Sequence, residues 1–408
     1  MSGRRAVTRV RAHGRAAALL AGAVTLAACG SSSSGSSGGG GGSLNNVQAI
    51  EVGLGPSGSL VNGLFTSVTI CVPGTSNCQT IDGVQVDTGS VGLRLLASRV
   101  SLSLPRIADG NGNAIGNCAS FVDNSYAWGP MATADVQMAD EKAPSVPIQL
   151  INAPGFAAVP SDCANGGTAA DSVSALGANG LLGLGVFRQD CGSACSGPVS
   201  RAPAVYFSCP ASGCSVASVP LQSQLQNPVW LFPQDNNGLI VSLPEVPAQG
   251  ARTVSGSLIF GIGTRSNNGL EGARVFTTDD VGDFVTTFNG ARISSSYLDT
   301  GSNGYFFLDS DTIGLPPCPD GDSDFSCPPS TVTYTAVTTG LNGASTQVTF
   351  NVANAETLFN TGNAAFDDLA GPDTGDFDWG LPFFFGRKTF IAIEGQSTAG
   401  GTGPYWAY

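Results

Sequence analysis

The hydrophobic positions of this chain fall in short runs that are broken by Gly, Pro and Asn. Apolar residues at helical spacing are scarce, whereas Gly, Ser, Thr and Val are abundant. Short apolar runs between turn-forming residues are typical of β-strands. The pattern therefore predicts an all-β protein.

Two hairpins are predicted, one in each half of the chain. The second turns at Asn289-Gly290, a pair that tolerates positive φ and is the strongest short signal for a two-residue turn. Each hairpin ends at an aspartate, which is Asp87 in the first half and Asp299 in the second. The four predicted strands are residues 65–71, 79–86, 284–288 and 291–298.

Each of the two aspartates lies in a copy of the same eight-residue motif. Residues 86–93 read Val-Asp-Thr-Gly-Ser-Val-Gly-Leu, and residues 298–305 read Leu-Asp-Thr-Gly-Ser-Asn-Gly-Tyr. A single Asp-Thr-Gly also suits an ordinary turn after a strand. Two copies in the same context, 212 residues apart, indicate a duplicated lobe and predict that Asp87 and Asp299 meet where the lobes touch.

Two adjacent carboxylates have a defined chemistry. They do not both ionise readily, so the pair holds one proton, and one member acts as a base while the other acts as an acid. This arrangement hydrolyses peptide bonds with an activated water and requires no metal or organic cofactor.

The other side chains narrow the choice. His13 is the only histidine and lies in a segment that we expect to be removed. Ser-His-Asp and Cys-His catalysis and histidine metal sites are therefore excluded from the mature chain. Lys142 and Lys388 are the only lysines, which leaves acid–base chemistry mainly to Asp, Glu and Tyr.

Residues 1–28 predict a lipoprotein signal peptide. Five arginines precede a short apolar run over residues 16–27, which is too short for a membrane-spanning helix. The Leu-Ala-Ala-Cys that ends this segment resembles a lipobox, so we expect cleavage before Cys29 and lipid on its sulfur. A plain signal-peptidase site with a free Cys29 is the alternative.

Residues 29–45 predict a tether, because residues 30–43 are only Gly and Ser. By the resemblance to bacterial lipoproteins, Gly30 carries no inner-membrane retention signal. The expected location is the outer membrane, facing the periplasm or the cell surface. The membrane is then a partner through the lipid on Cys29.

The charge and the cysteines agree with export. Five of the 17 basic residues lie in the signal segment, so the mature chain has 12 basic residues against 30 acidic ones, and a nucleic-acid partner is disfavoured. Ten cysteines follow Cys29, an even number that predicts disulfides in an oxidising compartment. Pairs 71/78 and 318/327 suit small loops. The cysteines at 191, 195, 209 and 214 leave their pairing open, and zinc is the alternative there.

The mature length, about 360 residues, suits two domains. The Pro- and Gly-containing stretch over residues 243–250 is the candidate boundary. We predict an N-terminal β lobe over residues 46–244 and a C-terminal β lobe over residues 245–408.

The doubled motif resembles that of the pepsin-like aspartic peptidases. Residues 179–185, 255–261 and 379–394 are similar to further segments of that family, in the same order. The resemblance implies a bilobal fold with a cleft that holds a peptide or protein substrate. The chain also looks like a family of uncharacterised bacterial lipoproteins that end, as residues 403–408 do, in Gly-Pro-Tyr-Trp-Ala-Tyr.

The resemblance also implies roles for individual residues. Asp87 and Asp299 would be the catalytic pair. The supporting residues would be two threonines that bond across the loops, two glycines that allow close approach and two serines that bond the outer carboxylate oxygens: Thr88, Thr300, Gly89, Gly301, Ser90 and Ser302.

Three positions depart from the family pattern. Arg94 replaces a tryptophan that supports the flap, Pro382 stands where the second bracing glycine is expected, and the flap itself is poorly matched. Tyr126 and Trp128 are the flap candidates, with an ordinary core or surface aromatic as the alternative for each. A non-catalytic binding or assembly protein on the same fold is the rival to a peptidase. A carbohydrate-binding β module is a third interpretation, which no motif supports.

Overall fold

The computed structural model describes residues 45–319 and 323–408, and strands make up most of its regular structure. The signal segment, Cys29 and the tether up to residue 44 lie outside the described residues. The strands of the first half are β1 (Val47–Gly53), β2 (Gly63–Cys71), β3 (Cys78–Asp87), β4 (Val91–Leu96), β5 (Ala114–Ser120), β6 (Ser125–Met138), β7 (Glu141–Ile151), β8 (Thr168–Ala169), β9 (Gly180–Leu184), β10 (Tyr206–Cys209), β11 (Ser215–Val216) and β12 (Gly238–Leu243). Those of the second half are β13 (Val254–Phe260), β14 (Val275–Thr277), β15 (Phe284–Phe288), β16 (Ala291–Asp299), β17 (Tyr305–Phe307), β18 (Val332–Thr339), β19 (Ser345–Val352), β20 (Ala370–Gly371), β21 (Phe377–Gly380), β22 (Arg387–Ala392), β23 (Ser397–Thr398), β24 (Gly401–Thr402) and β25 (Tyr405–Ala407).

The helices are single turns. The α-helical turns are α1 (Ser161–Ala164), α2 (Val173–Leu176), α3 (Ser193–Ser196), α4 (Ser310–Ile313) and α5 (Ala355–Phe359). The 3-10 turns are Ala97–Arg99, Val199–Arg201, Leu221–Ser223, Pro228–Leu231 and Leu381–Phe384. Within the described ranges, none of the helices is long and apolar enough to cross a membrane.

Both predicted hairpins are present. β2 pairs antiparallel with β3, and β15 pairs antiparallel with β16. The turn of the second hairpin has φ of 47° at Asn289 and 81° at Gly290, as the Asn-Gly signal predicts. Each hairpin ends at the expected aspartate, because β3 ends at Asp87 and β16 ends at Asp299.

One long sheet connects the two halves. β1 pairs with β2 on one side and with β13 on the other, and β12 joins β13 to the C-terminal β22. A second sheet, in the order β19-β18-β15-β16-β21-β17-β20, is built only from the second half. The loop between β12 and β13 contains the predicted lobe division at residues 244/245.

The fold class predicted from the sequence, an all-β protein with two related lobes, is confirmed by the strands and their pairing. The two halves repeat one arrangement around their aspartates. β3 runs parallel to β9, which pairs antiparallel with β4, and β16 runs parallel to β21, which pairs antiparallel with β17. The largest core cluster contains buried side chains from both halves, so the lobes share apolar packing beneath the two loops.

All ten cysteines after Cys29 form disulfides, as predicted for an exported protein. The two small loops close as expected. The four cysteines whose pairing the sequence left open bond as 191 with 195 and 209 with 214, so none of them remains a thiolate for zinc. The five bonds are Cys71–Cys78, Cys118–Cys163, Cys191–Cys195, Cys209–Cys214 and Cys318–Cys327.

Candidate active site

The two aspartates occupy equivalent places in the two lobes. Asp87 is the last residue of β3 and lies opposite Gly183 of the parallel strand β9. Asp299 is the last residue of β16 and lies opposite Gly380 of the parallel strand β21. The carboxylates therefore sit where a strand leaves its sheet, and a second strand braces each from the side.

The bracing positions require glycine. A Cβ atom at Gly183 would lie 2.5 Å from the Val91 nitrogen, and one at Gly380 would lie 2.1 Å from the Gly304 oxygen. Only a residue without a side chain permits that approach. Gly380 thus takes the place that corresponds to Gly183, while Pro382 lies in the 3-10 turn that follows, so this departure from the family pattern leaves the brace in place.

Two threonines tie the loops together beneath the carboxylates. The backbone N–H of Thr88 donates to Oγ1 of Thr300 at 3.1 Å, and the N–H of Thr300 donates to Oγ1 of Thr88 at 3.0 Å. Each hydroxyl in turn donates across the lobes, from Thr88 to the Leu298 carbonyl and from Thr300 to the Val86 carbonyl. These four reciprocal bonds hold the aspartates in a fixed relation.

The carboxylates themselves are in contact. Oδ1 of Asp87 and Oδ1 of Asp299 both accept from the N–H of Gly89, at 2.8 and 3.1 Å. Oδ1 of Asp299 also accepts from the N–H of Gly301 at 2.7 Å. Oδ2 of Asp87 accepts from the Ser90 hydroxyl, and Oδ2 of Asp299 accepts from the Ser302 hydroxyl at 2.9 Å. The structure thus brings together all eight predicted residues of the two loops.

Burial raises the pKa of both aspartates. For Asp87 the loss of water is the largest cause and the charge of Asp299 the next, and the pKa rises well above its usual value. For Asp299 burial again raises the pKa, while hydrogen bonds from Asp87, Gly301 and Ser302 lower it. Because the two groups touch, they titrate as a pair, and the pair retains one proton at a pH where free carboxyls are ionised.

The raised pKa values predict how stability depends on pH. Burial also raises the pKa of Asp190 to about 6 and that of Glu141 to about 7. The folded protein therefore holds protons that the unfolded chain releases above about pH 4, so the free energy of unfolding should fall as pH rises from about 4 to 8. Melting curves across that range should show the higher midpoint at the acidic end.

A matched pair of variants identifies the source of this pH dependence. Glu141→Gln should flatten the curve, whereas Glu51→Gln, at an exposed position, should leave its shape unchanged. A melting temperature that rises between pH 5 and pH 8 in the wild type would contradict the assignment.

The pair is enclosed as well as buried. Asp87 and Asp299 each expose 0% of their surface. Beside them, Asn62 reaches from the N-terminal lobe into the C-terminal lobe, and its Nδ2 donates to the Asn303 carbonyl at 2.8 Å and to the Phe366 carbonyl at 2.9 Å. The Asn62 backbone N–H donates to the Ala364 carbonyl at 2.7 Å. This strap, residues 54–62, links the lobes next to the second loop.

The strap is anchored by apolar contacts at both ends. Leu60 is 2% exposed and belongs to a core cluster of the N-terminal lobe. Val61, the next residue, packs against a cluster of the C-terminal lobe. The strap therefore packs against both lobes next to the second loop.

A family model described as "Protein of unknown function (DUF3443)" matches residues 42–408. The chain belongs to the DUF3443 family. Among solved structures, the chain is similar to an aspartic proteinase from Irpex lacteus, with 13% sequence identity and a TM-score of 0.49. That match covers 88% of this chain and 96% of the other. No curated protein sequence matches the chain.

The two flap candidates of this DUF3443 chain pack within the N-terminal lobe. Trp128 is 8% exposed, its indole N–H donates to the Ala157 carbonyl, and its ring packs on Phe156 and Phe207. Tyr126 is half-buried against the same cluster. These are the contacts of core side chains, and none of them reaches the two aspartates.

The sequence did not reveal a buried polar network that surrounds Arg94. Arg94 is 1% exposed and forms an ion pair with Asp190 at 3.4 Å, and the Tyr206 hydroxyl donates to Asp190 at 2.6 Å. Burial raises the pKa of Asp190, while the Arg94 charge opposes that shift. An arginine within an apolar strand was the available signal, because a buried charge requires a partner.

Among residues 45–319 and 323–408, no group of three His, Cys, Asp or Glu side chains is placed to hold a metal ion. The acid–base groups that the described part of the site offers are thus carboxyl groups, supported by hydroxyl and backbone N–H donors.

Proposed function

We propose that this protein is an exported aspartic-peptidase-like hydrolase that cleaves peptide bonds with Asp87 and Asp299. The observation that carries the proposal is that Asp87 and Asp299 accept a hydrogen bond from the same donor. Both inner carboxylate oxygens accept from the N–H of Gly89, within a frame fixed by the two threonines. Such a pair holds one proton between two carboxyl groups, which supplies an acid and a base at the same point.

The chemistry follows from that shared proton. The ionised carboxylate takes a proton from a water molecule while the water oxygen bonds to the peptide carbonyl carbon. The protonated carboxyl donates its proton to the carbonyl oxygen, which gives a tetrahedral diol. The carboxyl that took the water proton then gives it to the amide nitrogen, the other carboxylate takes a proton from a diol hydroxyl, the C–N bond breaks, and a carboxylic acid and an amine leave. The dyad returns to one proton.

The hydroxyl donors have a supporting role in this proposal. Ser90 and Ser302 bond the outer oxygens, which keeps the carboxylates oriented with their inner oxygens facing each other. The N–H donors of Gly89 and Gly301 lower the pKa of Asp299, opposing its burial. Burial raises the pKa of both carboxyl groups, and these donors oppose part of that rise for Asp299.

One observation favours a second candidate, a tethered binding or assembly protein without catalysis. Both carboxylates are fully buried, and Asn62 closes the lobes beside them with three hydrogen bonds to the C-terminal lobe through its backbone N–H and its side-chain Nδ2. A peptide that bound elsewhere on the lobes would not need to reach the dyad.

Digestion of a peptide library by the purified mature protein distinguishes the two functions. We expect cleavage that is strongest at mildly acidic pH, where the dyad keeps its proton. An inhibitor with a central hydroxyl in place of the scissile amide should bind, since it resembles the diol. Absence of cleavage from pH 3 to pH 8, together with peptide binding that is independent of the dyad, would establish the binding protein instead.

We also propose that the protein is a lipoprotein anchored through Cys29, with its β lobes held off the outer membrane by the Gly/Ser tether. Cys29→Ser should abolish lipidation, and the protein should then fractionate with soluble material rather than with membranes. The control is Ser31→Cys in the Cys29→Ser background, which restores a thiol away from the lipobox and should remain soluble. Membrane association that survives Cys29→Ser would contradict the anchor.

A further inference from the structure

A cavity of about 350 Å³ lies in the C-terminal lobe, and neither Asp87 nor Asp299 lines it. It is formed by the edge strand β19, by the turn that follows β21 and by the connection after β12. The lining side chains that matter here are one phenol, one guanidinium, two carboxylates and two aromatic rings: Tyr305, Arg387, Glu245, Asp367, Phe350 and Phe385.

Tyr305 contributes a hydroxyl that has no partner in the described part of the chain. The residue is 3% exposed, and its ring packs on Phe350 and Trp379 with centroid distances of 5.0 and 5.8 Å. The ring belongs to the core, while the residue lines the cavity. The Tyr305 hydroxyl opens to the cavity rather than being sealed in the core, so it is available to donate to a ligand there.

The charged groups of the cavity face one another without pairing. The Arg387 guanidinium donates to the carbonyls of Phe383 and Phe385 and lies over the Phe383 ring, 4.6 Å from its centroid. Among the described residues, no carboxylate lies within 4 Å of it, although Glu245 and Asp367 line the same cavity. The opposite charges are therefore held apart across a space.

We propose that this cavity binds a free α-amino acid with an apolar side chain. The ligand carboxylate would pair with Arg387, whose planar fork suits carboxylates, and would accept from the Tyr305 hydroxyl. The ligand ammonium would lie against Glu245 and Asp367. Phe350 and Phe385 would contact its side chain. The site is separate from the dyad, so the inference does not depend on the proposed hydrolysis.

Calorimetric titration of the purified mature protein with L-leucine tests the inference. We expect binding with a Kd below about 1 mM. N-acetyl-L-leucine lacks the ammonium and L-leucinamide lacks the carboxylate, so each should bind about tenfold more weakly or worse. No heat of binding with L-leucine up to about 10 mM, or equal affinity for the three compounds, would overturn the proposal.

Variants locate the site. Tyr305→Phe keeps the ring and removes the hydroxyl, and it should weaken leucine binding about fivefold, while Glu245→Gln should weaken it about tenfold. Glu51→Gln, at an exposed position of the other lobe, is the matched control and should bind as the wild type does. Asp299→Asn should also leave leucine affinity unchanged. Loss of affinity in Asp299→Asn with none in Tyr305→Phe would place leucine at the dyad and refute this site.

Discussion

Asp87→Asn and Asp299→Asn should each lower the rate of peptide hydrolysis by about 10³-fold or more, because neither proton transfer works without the other. Asn preserves the shape of the side chain and removes its charge and its proton. The double variant should be no slower than either single variant, since the residues act as one unit. Measured rates on a peptide identified from the library would show this non-additivity.

The same variants should retain the fold. The four hydrogen bonds that Thr88 and Thr300 make between the loops involve backbone groups and the two threonine hydroxyls, which the substitutions do not change. Their melting temperature at pH 8 should therefore not fall below that of the wild type, because the buried charge is gone. Asp162→Asn, at an exposed position of the N-terminal lobe, serves as the matched control and should hydrolyse peptides at the wild-type rate. Hydrolysis that persists in both dyad variants would exclude Asp87 and Asp299 as the acid and base.

The local parts of this site could be predicted from the sequence. A hairpin, its turn and the residue that ends its second strand depend on neighbours within a few positions. The sequence pattern therefore placed Asp87 and Asp299 at the ends of their strands. The doubling of the motif then supplied the one long-range contact that the sequence reveals. The small disulfide loops could be predicted for the same reason, because their cysteines lie close in the chain.

The long-range contacts around the site could not be predicted from such local patterns. Asn62 bonds to Asn303 and Phe366, which lie 241 and 304 residues away, and no local pattern marks an asparagine in a loop as a partner of those carbonyls. The ion pair of Arg94 with Asp190 spans 96 residues. Both contacts depend on how the lobes and loops pack, which is set by the whole topology rather than by any segment.

The bracing glycines show that strand register, rather than a sequence motif alone, decides which residue lies beside each aspartate. Pro382 takes the place that corresponds to Gly185, while the register of β16 and β21 sets Gly380 opposite Asp299, as that of β3 and β9 sets Gly183 opposite Asp87. The N–H of Leu381 donates to the Ser302 carbonyl at 2.8 Å, and the N–H of Gly185 donates to the Ser90 carbonyl at the same distance. Each lobe thus makes the same hydrogen bond to the carbonyl of its loop serine. The donor lies two residues after the bracing glycine in the first lobe and one residue after it in the second.

Gly380→Ala should lower the free energy of unfolding by about 3 kcal/mol or more, because the new Cβ would lie 2.1 Å from the Gly304 oxygen and 2.8 Å from the Ser302 oxygen. Both contacts are with backbone, so relief requires β21 to move away from the Asp299 loop. Gly269→Ala, with open space around its Cβ, is the control and should change stability by less than about 0.5 kcal/mol. Denaturant titration of both variants gives the comparison, and equal stability of the two would contradict the close approach. Where Gly380→Ala still folds, its displaced Asp299 should also slow hydrolysis, since the brace fixes the carboxylate that shares the proton.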